Sequence, residues 1–76
     1  MFKVFVSVQG FGFKSIGAPM LSLNLAKQAA SKFKKTNNSG ICEFEIRNEK
    51  NKVILKTRPL LKVSKLTWYD NSNINY

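Results

Sequence analysis

Few side chains in this chain can do chemistry. Histidine is absent, and with it the commonest general base and metal ligand. The acids number four, Glu43, Glu45, Glu49 and Asp70. Glu43 and Glu45 stand two apart in the segment ICEFEIR, a spacing that sets both carboxylates on one face of a strand. That is the arrangement of an acid–base pair, but the face expected for them is the solvent side of a hairpin, opposite Lys56 and Ile54, with no pocket. Cys42 is the single cysteine, so no internal disulfide can form. It falls on the inward parity of the same strand, without a neighbour that would activate it, and reads as a buried structural thiol. No metal-ligand spacing occurs, and no cofactor is expected. The residue inventory argues against an enzyme and for a binding protein.

Charge is the strongest signal. Thirteen Lys and Arg against four acids give a net charge of +9 and a pI near 10.1 on 76 residues. Such an imbalance attracts polyanions: nucleic acid, an acidic protein or an anionic membrane. Eleven of the thirteen cations are lysine, a point charge rather than a bidentate base reader. Loose phosphate contact is therefore expected, without base-specific readout. Membrane binding ranks lowest, because the apolar stripe of the one expected helix is needed to close the core. MFKVFVSVQG lacks a signal-peptide cleavage site and no apolar run approaches the roughly 20 residues that span a bilayer. The lone cysteine fits a reducing compartment, so the expected location is intracellular, in a cytoplasm, a host cytoplasm or an organelle.

The aromatic residues lie close to these cations. Phe5, Phe11 and Phe13 accompany Lys3 and Lys14, while Trp68 and Tyr69 accompany Lys62 and Lys65. Residues 9–16, QGFGFKSI, resemble the octamer of the RNA-recognition motif, Lys/Arg-Gly-aromatic-Gly-aromatic-Val-x-aromatic. The departures are specific: Gln9 replaces the basic residue and Lys14 the valine. With eight residues ahead of Gln9, there is also no place for the partner motif that family carries on an earlier strand. Ala26-Lys27-Gln28-Ala29-Ala30 resembles the helix core of a double-stranded-RNA-binding domain. Here Ser22-Leu23-Asn24 stand where that family has phosphate-binding lysines, and a hairpin follows a helix that should end the domain. Neither resemblance assigns the chain to a family. Gly10, Gly12 and Gly17 match neither nucleotide-binding fingerprint and read as an irregular loop. In that loop Phe11 and Phe13 either bury as a plug or stay exposed as stacking anchors.

The elements that must position these residues follow from periodicity. Phe2, Val4, Val6 and Val8 alternate with polar partners as in a half-buried strand. QGFGFKSIGAP breaks regular structure, and Pro19 suits the first turn of a helix. From Met20 to Lys35 the pattern is helical, with Leu21, Ser22, Leu25, Ala26, Ala29 and Phe33 forming the core-facing stripe. Asn37-Asn38-Ser39-Gly40 stops it. ICEFEIR and KVILKTR then form a hairpin around Asn48–Asn51. Its expected register pairs Arg47 with Lys52, Ile46 with Val53, Phe44 with Leu55 and Cys42 with Thr57, and Glu43 with Lys56. Pro59 ends the second strand, LLKVSKLTWY reads as a fourth strand bulged near Ser64-Lys65, and DNSNINY as a frayed tail.

The expected fold is α+β, a single helix on a small antiparallel sheet of three to four strands in the order β-α-β-β(-β). It forms one domain over residues 1–70 with a flexible tail at 71–76. A chain this short buries only about 60% of its unfolded surface, which leaves room for one thin core. The expected function is a small basic binding protein that holds RNA or single-stranded nucleic acid through lysines with aromatic stacking. The residues expected to carry it are Lys3, Phe5, Phe11, Phe13, Lys14, Lys27, Lys34, Lys35, Lys62, Lys65, Trp68 and Tyr69. The alternative is a protein-interaction module, such as an assembly linker, ribosome-associated factor or phage-encoded inhibitor, docking on an acidic protein surface. Oligomeric state is left open by the sequence.

Overall fold

The computed structural model describes residues 1–36, 41–58 and 66–70. Within them the fold is α+β: one helix packs on an antiparallel sheet of five strands. In chain order the elements are β1 (Phe2–Val8), β2 (Phe13–Met20), α1 (Leu23–Thr36), β3 (Cys42–Arg47), β4 (Val53–Lys56) and β5 (Tyr69–Asp70). Across the sheet the order is β2-β1-β3-β4-β5. Of the strand expected over residues 60–69, residues 60–65 lie outside the described ones, Leu66, Thr67 and Trp68 are not in a strand, and a two-residue strand at Tyr69–Asp70 runs antiparallel to β4. The expectations at Asn37–Gly40, at Pro59, at Ser64-Lys65 and for the tail at 71–76 lie outside the described residues.

The segment read as an irregular loop is a second strand. Gln9 and Gly10 both have positive φ, 52° and 79°, and the Phe11 N–H donates to the Val8 carbonyl at 3.2 Å. Two central residues of positive φ make the kind of turn whose twist matches flanking strands. The glycines therefore serve a hairpin that returns the chain along β1, with Ser7 opposite Phe13 and Val4 opposite Ile16. Pro19 stands in this strand and not at the helix start. It is tolerated because β2 lies at the sheet edge, where no neighbour needs its missing N–H. The ladder also slips between Phe2 and Val4, opposite Gly17 (φ 70°).

The helix starts three residues later than its periodicity implies because Ser22 caps it. The Ser22 Oγ accepts from the Leu25 N–H at 3.2 Å, and the Ser22 carbonyl takes the first helical bond, from Ala26 N–H at 3.1 Å. The inward stripe turns accordingly toward Leu23, Ala26, Ala30 and Phe33. Ala26 and Ala30 are fully buried, and their lack of bulk lets the helix approach the sheet closely. Leu21 and Leu25, expected inside, are 75% and 45% exposed.

The core is one layer between α1 and the sheet: Val4 and Val6 of β1, Cys42, Phe44 and Ile46 of β3, and the two alanines. Cys42 is buried on the inward parity, as its strand alternation requires. The β3–β4 hairpin forms, but its register differs by two residues from the expected one. Ile46 faces Leu55 and Glu45 faces Lys56. The turn supplies one residue of the difference: Asn51 takes φ 64° and the Asn48 N–H bonds to the Lys52 carbonyl at 3.0 Å, which tightens the loop from four residues to three. The irregularity between Ile46 and Arg47 supplies the other, so Leu55 and Lys56 keep their faces while changing partners, and Val53 stands opposite Arg47.

Thr57 closes the hairpin in an unusual way. Its N–H donates to the Phe44 carbonyl at 2.9 Å, while its Oγ1, not its carbonyl, accepts from the buried Phe44 N–H at 3.0 Å. Thr57→Val preserves shape but orphans that N–H, and is expected to lower unfolding free energy by about 1–3 kcal/mol in chemical denaturation. An unchanged denaturation midpoint would show that water or a backbone shift satisfies Phe44 instead.

Candidate functional site

Strand alternation assigns a second set of residues to the sheet face opposite α1. They are Lys3, Phe5 and Ser7 on β1, Phe13 and Ser15 on β2, Glu43, Glu45 and Arg47 on β3, Lys56 on β4 and Tyr69 on β5. No described element packs over this face, called here the open face. Its centre is organised by Arg47. The guanidinium carbon lies 4.1 Å from the centroid of the Phe5 ring and 6.0 Å from that of Phe13, within the range of cation–π attraction. Arg47 Nε and Nη2 donate to Glu45 Oε1 at 3.0 and 2.7 Å, and Nη1 donates to Asn51 Oδ1 at 3.2 Å. Three hydrogen bonds to two neighbours, Glu45 and Asn51, thus hold one planar cation against an aromatic ring. Glu45 serves as a brace for Arg47 here, and Glu43 stands across from Ser7, so the two carboxylates do not converge on a pocket. At the β4–β5 side of the same face Arg58 lies 5.1 Å from the centroid of Tyr69.

The expected site residues separate into groups. Lys3, Phe5, Phe13 and Tyr69 share the open face. Phe5 and Phe13 are half-buried, and Tyr69 is exposed. Phe11, alone at the β1–β2 turn, is 83% exposed; of the two fates considered for the loop phenylalanines, Phe11 takes the exposed one and Phe13 lies on the sheet under Arg47. Lys14 is exposed on β2 opposite Val6. Lys27 is half-buried and Lys35 exposed on α1, away from the open face. Lys62 and Lys65 lie outside the described residues.

Two of these residues lie on the helix side of the sheet and not on the open face. Lys34 is 4% exposed, and its Nζ has no hydrogen-bond partner among the described residues, so it does not present a charge to a surface ligand. The reason is the rotation of the helix stripe, which places position 34 one turn beyond Ala30 on the inner side. Trp68 is half-buried on the helix side of the sheet, its ring centroid 6.5 Å from that of Phe44, where it extends the core past the edge of α1. Sequence reasoning missed Arg47 and Asn51. Arg47 was legible as a strand residue only; its partners come from the neighbouring strand and from the turn.

Among the described residues no group of three or more His, Cys, Asp or Glu could hold a metal ion. No helix among them is long and apolar enough to cross a membrane. Compared with protein families, with curated proteins and with solved structures, the chain matches none.

A buried ammonium without a partner carries a desolvation cost that an apolar side chain of similar length does not. Lys34→Met is therefore expected to raise unfolding free energy by about 1–3 kcal/mol, read as an increased denaturation midpoint. A loss of stability would mean that the ammonium is solvated or paired in solution.

Proposed function

We propose that this chain is a small, basic, non-catalytic protein that holds single-stranded nucleic acid, RNA foremost, across its open sheet face in an intracellular setting. The observation that carries the reading is the braced Arg47 on Phe5, with Phe13 on the adjacent strand and the Arg58–Tyr69 pair farther along the same face. Unpaired bases stack on aromatic rings and on guanidinium planes. An arginine already held by Glu45 and Asn51 loses little freedom when a base settles on it. Phe11, exposed at the turn, offers a second stacking surface at the end of the sheet. Lys3 and Lys56 supply phosphate contacts on that face, and the net charge of +9 draws the polyanion in.

This reading calls for a steep salt dependence. The affinity for a mixed single-stranded oligonucleotide is expected to fall with log salt at a slope of about −0.7 per phosphate contacted. Phe11→Ala, at a site where no packing is at stake, should weaken binding by about 1–3 kcal/mol while leaving the melting temperature in place. Fluorescence anisotropy across a salt series measures both. Absence of binding at low ionic strength would end this reading.

A second reading, docking on an acidic protein, is favoured by a different feature. Along the outer edge of β2 an apolar trough of about 360 Å³ runs against α1, lined by Ile16, Gly17, Met20, Ala29 and Phe33. Lys14 and Lys32 are exposed beside it. An extended acidic segment could add to the β2 edge there. A stoichiometric complex that survives nuclease treatment and is lost in Ile16→Lys would support this reading over the first.

A further inference from the structure

At the hairpin end of the open face lies a recess of about 410 Å³, lined by Met1, Lys3, Phe5, Pro19, Asn48, Glu49 and Asn51. That volume falls within the roughly 300–1,000 Å³ of small-molecule clefts. Strand β1 contributes Phe5 and Lys3, the irregular end of β2 contributes Pro19, and the β3–β4 turn contributes the polar residues. Phe5 connects the recess to the centre of the face, because its ring also carries Arg47.

The turn decides which hydrogen-bonding groups the recess can offer. Asn48 Oδ1 accepts from the backbone N–H groups of Lys50 and Lys52, at 2.9 and 3.0 Å. Asn51 Oδ1 accepts from Arg47 Nη1 at 3.2 Å. All three partners are obligate donors, since neither a backbone N–H nor a guanidinium can accept. The orientation of both amides is therefore imposed by chemistry. Asn48 Oδ1 has accepted two hydrogen bonds and Asn51 Oδ1 one, so the groups these amides chiefly offer a ligand are their NH2 donors. Lys3 and the Met1 ammonium add donors, and the exposed Glu49 carboxylate, whose Oε1 accepts from that ammonium at 3.5 Å, offers its second oxygen as an acceptor. The set is rich in donors, with the Glu49 carboxylate as its principal acceptor.

We infer that this recess binds one unstacked nucleobase and prefers uracil or thymine. The Watson–Crick edge of those bases reads acceptor, donor, acceptor: two keto oxygens flank an imino N–H. Amide and ammonium donors suit the oxygens, and the Glu49 carboxylate suits the imino proton. Cytosine reverses two of the three positions, with an amino donor and an unprotonated ring nitrogen, and would bring its amino group against Asn NH2 donors. The inference rests on the single-strand reading above and adds to it a base preference at one position.

The test compares oligouridylate with oligocytidylate, both weakly self-stacked, for the full chain and two variants. Asn51→Asp keeps an oxygen for Arg47 and a residue type that tolerates positive φ, but removes the NH2 donors. Glu49→Gln, on an exposed turn, replaces the carboxylate by a neutral amide and gives up only its solvent-exposed ion pair with the Met1 ammonium. The expected result is a preference for oligouridylate of about five-fold or more that falls to about one in Asn51→Asp and shrinks in Glu49→Gln. Uridine 5′-monophosphate should also shift the side-chain amide resonances of Asn48 and Asn51 in nuclear magnetic resonance spectra. Equal affinity of the unmodified chain for the two oligonucleotides, or a preference that both variants retain, overturns the base site while leaving strand binding intact. Failure of both oligonucleotides to bind at low salt overturns the strand reading and the base site together.

Discussion

One helix cannot cover both faces of a five-stranded sheet. At 1.5 Å per residue, the 14 residues of α1 make a rod about 21 Å long and roughly 10 Å across, while five strands at their usual spacing span about 19 Å. The rod serves one face, over β2, β1 and β3. Its limited width is why Trp68 and Leu66 pack beside Phe44 on the same side, extending the core toward β4. The opposite face receives no described element and must remain stable in contact with water.

That requirement accounts for the composition of the open face. A sheet of alternating residues presents its second parity to solvent, and an all-apolar second parity would aggregate. Here the second parity mixes half-buried aromatics with charges that lie on or beside them. Arg47 covers part of Phe5 and is held by Glu45 and Asn51, and Arg58 does the same for Tyr69. Such cation–aromatic contacts shield ring surface from water without another layer of structure. They also leave flat, charged, stacking-competent surfaces on the outside. In the proposed function, the residues that protect a thin fold are also the ones that receive the polyanion.

Charge is unevenly used. The two carboxylates of β3 lie in the middle of the open face, and its cations Lys3 and Lys56 flank them on β1 and β4. The excess of lysine over acid belongs to the whole molecule, and it governs encounter with a polyanion more than placement. Placement depends on the aromatic residues and on the turn that carries Asn48 and Asn51.

The α+β class, the central alternation of β1, the hairpin that follows the helix and the inward parity of Cys42, Phe44 and Ile46 were all legible in the chain, because each is a local period of hydrophobic residues. Other features were not, since they depend on contacts between distant segments. QGFGF could not be told from a loop until β1 supplied a partner for β2, and an edge strand tolerates a proline that the pattern had placed in a helix. The helix stripe gave up Leu25 and took in Lys34 once close approach of Ala26 and Ala30 to the sheet, together with the Ser22 cap, set its rotation. The hairpin register moved by two because a three-residue turn with Asn51 at positive φ is one residue tighter than a four-residue one and an irregularity between Ile46 and Arg47 adds another. The sequence by itself determined what kinds of element form and which side of each is apolar, since those depend on spacing along the chain. Only the tertiary structure decided which aromatics remain accessible and that Arg47, Phe5 and Asn51 meet, because their convergence is created by strand pairing and turn geometry.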